Sequence, residues 1–189
     1  MVCVGVIGKP RTGKTLYITM VGYFDYLAGK EIYSNYNVSF PHKIFTIDDL
    51  LSISTMEMDI NPKTVLMQEA SKWFDARRSG RNENVLLSSF TGQSGKRDID
   101  IYYDDQFITR IDRGLRDITD YTFMSNCMRV DPYNSKSQPL MFEYEKYHGY
   151  FVYPTGKTMR FPAGFMEQFY EMYNTREPTA PLIKNERGD

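Results

Sequence analysis

The run GKPRTGKT at positions 8–15 matches G-x-x-x-x-G-K-[S/T] in full, and no other stretch restricts the possible folds of this chain as tightly. Such a loop works only between a buried strand and the first turn of a helix. Its backbone N–H groups must turn inward together, and the helix N-terminus adds positive potential around a bound phosphate. The flanking sequence predicts that setting. VCVGVI at 2–7 is a β-branched run suited to a buried parallel strand, and from Lys14 onward Leu16, Met20, Tyr23, Phe24 and Leu27 keep to one helical face until Gly29. EIYS at 31–34 then returns as a second strand. Lys14 is placed to bridge β- and γ-phosphates, and Thr15 to offer a hydroxyl to Mg²⁺. Gly8, Lys9, Pro10, Arg11, Thr12, Gly13, Lys14 and Thr15 are therefore the candidate contacts for ATP, with Thr15 also the candidate metal ligand.

Past this unit, Thr46 and Asp49 have capping-box spacing for a short helix, and TVLM at 64–67 reads as a third strand after the turn at Pro62. Helices are predicted over 71–78 and 82–90, interrupted at Gly80, followed by a fourth strand over 98–103 and a helix or turn over 106–115. The alternation favours an open, mostly parallel α/β sheet with helices on both faces. Beyond Asp120 the texture becomes aromatic and is broken by turn signals. Antiparallel strands are expected at 121–130, 140–147 and 150–153, with a helix over 161–173. Residues 1–175 read as one domain and 176–189, rich in charge and proline, as a mobile tail.

Composition removes several classes of function. With 23 basic and 24 acidic residues the net charge is -1, so nucleic-acid affinity would need a local basic surface, and a globally basic coat protein is excluded. Cys3, Cys127, His42 and His148 are too few and too dispersed for a disulfide framework or a zinc site. No apolar run approaches the roughly 20 residues that cross a bilayer, so a soluble, cytoplasmic protein is expected.

A hydrolytic phosphate-loop enzyme also needs a carboxylate at the tip of another strand to steady Mg²⁺, often beside a Glu that activates water. The third strand is followed by Gln68-Glu69, with an amide where the acidic residue is expected, so either turnover is slow or the chain carries a substitution there. Glu69 is the candidate general base, or else the cap of a following helix. Arg97 suits an arginine finger supplied by a neighbouring subunit, or a solvated helix end. Gln106 suits a polar sensor of the γ-phosphate, or an ordinary loop amide. Arg77, Arg78 and Arg81 form a candidate grip on a phosphate backbone or a set of interface ion pairs. Arg110, Arg113 and Arg116 recur at helical spacing, as a contact stripe or a wet face.

In motif order, GKPRTGKT, VLMQEASKWFDARRSG, TGQSGKRDIDIYYDDQ and ITRIDRGLRDITDY resemble the FtsK/HerA superfamily of P-loop ATPases. The likeness is greatest to its viral branch of genome-packaging and Zot-like morphogenesis proteins, over roughly residues 2 to 125. The resemblance implies a RecA-like core, a homo-oligomeric ring, usually hexameric, an active site shared between subunits, and ATP-driven movement of double-stranded DNA. Capsid or membrane-vesicle proteins are implied as further partners, and a host-cytoplasmic or virion-associated location. It carries Lys14 and Thr15 over as nucleotide and metal contacts, Glu69 as catalytic acid, Gln106 as sensor and Arg97 as finger. Gln68 departs from the expected acidic pair. A nucleotide-gated assembly scaffold with little hydrolysis is the alternative function, and a small-molecule kinase a third.

Overall fold

A strand covered on both faces has no polar side to alternate, and β1 (Cys3–Ile7) and β4 (Lys63–Met67) are buried at every position. Val4, Val6 and Leu66 turn toward α1 (Lys14–Leu27) and pack with its Leu16, Ile18 and Met20. Cys3, Ile7, Val65 and Met67 turn the other way, onto Trp73, Phe74, Phe90 and Leu115. The computed structural model describes residues 1–46, 49, 52, 62–75, 90, 92, 98–151 and 153–174. These residues build one eight-stranded sheet of order β3-β2-β4-β5-β1-β6-β7-β8. The remaining strands are β2 (Glu31–Ser34), β3 (Lys43–Ile44), β5 (Ile99–Asp105), β6 (Tyr121–Arg129), β7 (Pro139–His148) and β8 (Tyr153–Pro162).

The pairs from β3 through β1 to β6 are all parallel, and β6-β7-β8 continue the same sheet as an antiparallel meander. The carboxyl ends of β1, β4 and β5 therefore meet along one rim, where an open α/β sheet forms its crevice. The other cover elements are α2 (Arg113–Asp117), α3 (Ala163–Met166) and 3-10 turns at Ala70–Lys72, Ile108–Arg110 and Glu167–Met172. Leu115 of α2 and Met166 of α3 enter the cores on opposite faces of the sheet.

The first two strands, the phosphate-loop helix and the third and fourth strands form where the periodicity predicts them. The capping box also forms: the Asp49 carboxylate accepts from the Thr46 amide at 2.7 Å, and the Asp49 amide donates to the Thr46 hydroxyl at 3.2 Å. Four expectations are refined. Of the helix expected over 71–78, the described part is a 3-10 turn at Ala70–Lys72, and Asp75 already bridges antiparallel to Ile111; residues 76–78 lie outside the described residues. The segment 106–115, expected as a helix or turn, holds both: a 3-10 turn at Ile108–Arg110 extends at Ile111, and Asp112 caps a new helix by accepting from the Gly114 amide at 2.8 Å. The last strand runs Tyr153–Pro162 rather than 150–153, with register partners from His148 back to Met141. As an exposed edge strand it needs no apolar alternation, which is why its period was illegible. The helix over 161–173 is one α turn followed by 3-10 backbone. The short β3 was not anticipated. The helix over 82–90 (apart from Phe90), Arg77, Arg78, Arg81, Arg97 and the tail 176–189 lie outside the described residues.

Close approach explains one glycine in the central strand. Gly5 and Tyr103 are register partners, and a Cβ on Gly5 would lie 2.6 Å from the Tyr103 ring. Gly5→Ala should lower the unfolding free energy by roughly 1–3 kcal/mol through overpacking, read as a shifted urea midpoint with an unchanged slope.

Candidate nucleotide-binding site

The phosphate loop leaves β1 at Ile7 and enters α1 at Lys14, and its curvature is set by two left-handed residues, Arg11 (φ 63) and Gly13 (φ 85). At Gly13 the backbone conformation and the space both exclude a side chain, since a Cβ would lie 2.5 Å from the Phe142 ring. The ammonium of Lys14 reaches back across the loop and donates to the Lys9 carbonyl at 3.0 Å. Thr12 donates to the same carbonyl at 2.8 Å.

The antiparallel meander braces this loop from outside. The Ser125 hydroxyl of β6 lies 2.6 Å from that of Thr12 and donates to the Ile7 carbonyl at 3.2 Å. Tyr144 of β7 donates to the Gly13 carbonyl at 2.9 Å, and its ring packs on Tyr17 of α1. Arg129 approaches the Arg11 carbonyl at 3.5 Å. None of these braces was identified from the sequence, because nothing in an alternating aromatic strand marks which hydroxyl will face a loop more than a hundred residues away.

The rim beyond the loop holds a cleft of ≈ 250 Å³ lined by Pro10, Arg11, Gly13, Lys14, Thr15, Gln68, Glu69, Asp104, Gln106 and Tyr173. It thus gathers Lys14, Thr15, Gln68, Glu69 and Gln106 at one place. Asn35, just after β2, clamps the backbone of Gln68 in both directions. Its amide nitrogen donates to the Gln68 carbonyl at 2.9 Å, and its oxygen accepts from the Gln68 N–H at 2.8 Å. The Gln68 side-chain oxygen is buried and has no hydrogen-bond partner. Glu69 has left-handed backbone (φ 51), which is strained for a side-chain-bearing residue, and its carboxylate pairs with Lys72.

Asp104 is the residue the sequence reading missed. It accepts from the Thr15 hydroxyl at 2.6 Å and from the Glu69 amide at 2.9 Å, and it is 1% exposed. Burial pushes its carboxyl up to about 6, while the Glu69 amide, the Thr15 hydroxyl and the Lys14 charge pull it back. The signal was present as a pair of acids closing an apolar strand, but Asp105 and Asp104 could not be told apart without the sheet. Asp105 is spent on backbone, accepting from Ser71, Gln106 and Phe107 amides at 2.8, 2.7 and 3.1 Å. Tyr173, also missed, reaches the cleft because the segment after the last 3-10 turn bridges to Val38.

Thr15, Asp104 and Gln68 all line the cleft, and their side chains carry oxygen donors of the hard kind that suits Mg²⁺. Arg110, Arg113 and Arg116, expected as a contact stripe or a wet face, do not share one helix. Arg110 stacks over Phe107 at 4.6 Å, Arg113 pairs with Asp117 at 3.1 Å, and Arg116 lies over Tyr150 at 5.4 Å, on two separate elements.

This sheet order with a phosphate loop after β1 is the RecA-like P-loop NTPase fold. The N-terminal domain of zonular occludens toxin from Neisseria meningitidis superposes with a TM-score of 0.64 at 16% identity, covering 92% of this chain and 100% of that one. B204, the DNA-packaging ATPase from Sulfolobus turreted icosahedral virus, gives 0.51 at 12% identity, covering 84% and 95%. A further solved ATPase domain gives 0.51 at 11% identity, covering 84% and 80%. No protein-family model and no curated sequence matches the chain. No helix among the described residues is long and apolar enough to cross a membrane.

Removing the Tyr144 brace should be measurable without disturbing the core. Tyr144→Phe keeps the ring and loses one buried hydrogen bond, so thermal or urea unfolding should show a loss of about 1 kcal/mol.

Proposed function

We propose that this chain is an ATP-binding, Mg²⁺-dependent NTPase of the FtsK/HerA kind that moves double-stranded DNA, as a genome-packaging or virion-morphogenesis motor. The observation that carries the nucleotide-binding part is the braced loop with Lys14 and Thr15 opening onto a cleft that also holds Gln68, Glu69, Asp104 and Gln106. Loop amides and Lys14 bind the triphosphate oxygens. Bound Mg²⁺ would neutralise charge on the β- and γ-phosphates, held from the protein side by the Thr15 hydroxyl. Glu69 orients the attacking water and takes its proton, and Gln106 contacts the terminal phosphate.

The DNA part of the reading is supported by the fold shared with a DNA-packaging ATPase and with a zonular occludens toxin domain, and by the motif order. In this reading the protein works as a ring, a hexamer by analogy with FtsK/HerA motors. Arg97 of each subunit reaches a neighbour's γ-phosphate, and the ring acts in the host cytoplasm or on the virion alongside capsid or membrane-vesicle proteins. The competing reading, a nucleotide-gated scaffold with negligible turnover, draws on the amide at position 68. A buried carboxylate at 104, hydrogen-bonded to Thr15, weakens that support.

The test is ATP hydrolysis with and without double-stranded DNA. Wild-type protein is expected to show DNA-stimulated turnover, and Lys14→Ala to lose at least ~100-fold of it, the scale of losing an electrostatic clamp on a transferred phosphoryl group. ATP uptake without turnover or DNA binding would select the scaffold instead.

A further inference from the structure

We infer that Asp104, on the strand next to β1, supplies the carboxylate that steadies Mg²⁺ beside Thr15, and that Gln68 acts there as a neutral acceptor for water on that ion. The inference rests on the nucleotide-binding reading above and assigns the metal-positioning residue within that site.

The argument starts from register. Met67 of β4 pairs with Tyr103 of β5, and Asp104 of β5 pairs with Val6 of β1. Continuing the parallel register sets Gln68 alongside Asp104, on the same face of the sheet. A carboxylate moved from position 68 to position 104 therefore shifts one strand toward the phosphate loop, about 4.8 Å. That shift is what allows Asp104 to hold the Thr15 hydroxyl directly at 2.6 Å.

The other acids near the rim are already committed. Asp105 accepts three backbone amides, and Glu69, beside Lys72, is assigned above to the attacking water. Asp104 accepts one hydrogen bond on each oxygen, which leaves lone pairs on both. Among the described residues it forms no salt bridge, although it is buried, and a buried carboxylate is normally paired or set beside a metal. A second, independent observation points to the same occupant. The Gln68 side-chain oxygen is buried without a partner, on a backbone that Asn35 holds fixed, so a residue lining the same cleft keeps an unfilled acceptor position. An amide oxygen beside a carboxylate suits a hydrated divalent cation, with the negative charge contributed by one residue and water orientation by the other.

The experiment is titration of a fluorescent ATP analogue in excess Mg²⁺ and in EDTA, for wild type, Asp104→Asn and the double variant Gln68→Asp/Asp104→Asn. Wild type should bind more tightly with Mg²⁺. Asp104→Asn should lose at least tenfold of that gain, taken as the ratio of its affinities in the two buffers, and the double variant should recover part of the gain by returning a carboxylate to the neighbouring strand. An unchanged Mg²⁺ gain in Asp104→Asn, or equal losses in both buffers, overturns the assignment. Wild type that takes up no analogue in either buffer overturns the nucleotide-binding reading itself, and this assignment with it. Should Asp104→Asn fail to fold, wild-type crystals soaked with Mn²⁺ and a non-hydrolysable ATP analogue decide. Anomalous density within reach of one bridging water from Asp104, about 4 Å, supports the assignment, and metal density beyond that reach refutes it.

Discussion

A loop whose amides must converge on an anion cannot spend those amides on its own helix or sheet, so its shape has to be imposed from outside. Here that constraint is met from both sides. Strand β1 and helix α1 fix the ends of the loop, and the meander fixes its middle through Ser125, Phe142 and Tyr144. The antiparallel extension thus helps to hold the 8–15 loop in shape and is not an appendage to it. Its first strand is parallel to β1 and brings Ser125 beside the turn where β1 ends, while its second returns Phe142 and Tyr144 over Gly13.

The same rim shows how a parallel sheet assembles a polar site from apolar strands. Each of β1, β4 and β5 is buried almost throughout, and the polar residues of the rim stand at the carboxyl ends, Asp104 and Asp105 closing β5 and Gln68 and Glu69 just past β4. Adjacent parallel strands end in step, so Thr15, Gln68, Glu69 and Asp104 come within reach of one another without any of them disturbing the core. Backbone clamps do the final positioning. Asn35 holds Gln68, Asp104 holds the Glu69 amide, and Asp105 holds the start of the following turn through Ser71.

Legibility followed the range of each interaction. The strand-loop-helix-strand unit was readable because its periodicity and its glycines are local, and the Thr46–Asp49 capping box likewise depends on residues three apart. The stretch 106–115 was not readable as two pieces, since the bridge between Ile111 and Asp75 overrides its helical spacing. The edge strand β8 was undersized for a related reason: its length comes from pairing with β7, and its own side chains are mostly exposed and carry no pattern. Lys14, Thr15, Glu69 and Gln106 were identified from motif position, and they do line one cleft. Asp104, Ser125, Tyr144 and Tyr173 were not, because each enters the site through a partner far along the chain.

By itself, then, the sequence determined that a G-x-x-x-x-G-K-[S/T] loop joins the first strand to the first helix and where it lies, since eight consecutive residues carry both the torsional freedom and the charge that such a loop requires. Which carboxylate stands beside Thr15 was decided only by tertiary structure. That contact joins residues 89 positions apart, and it depends on β5 lying between β4 and β1 in the sheet. Strand order is a property of packing across the whole domain, and no local pattern of residues encodes it.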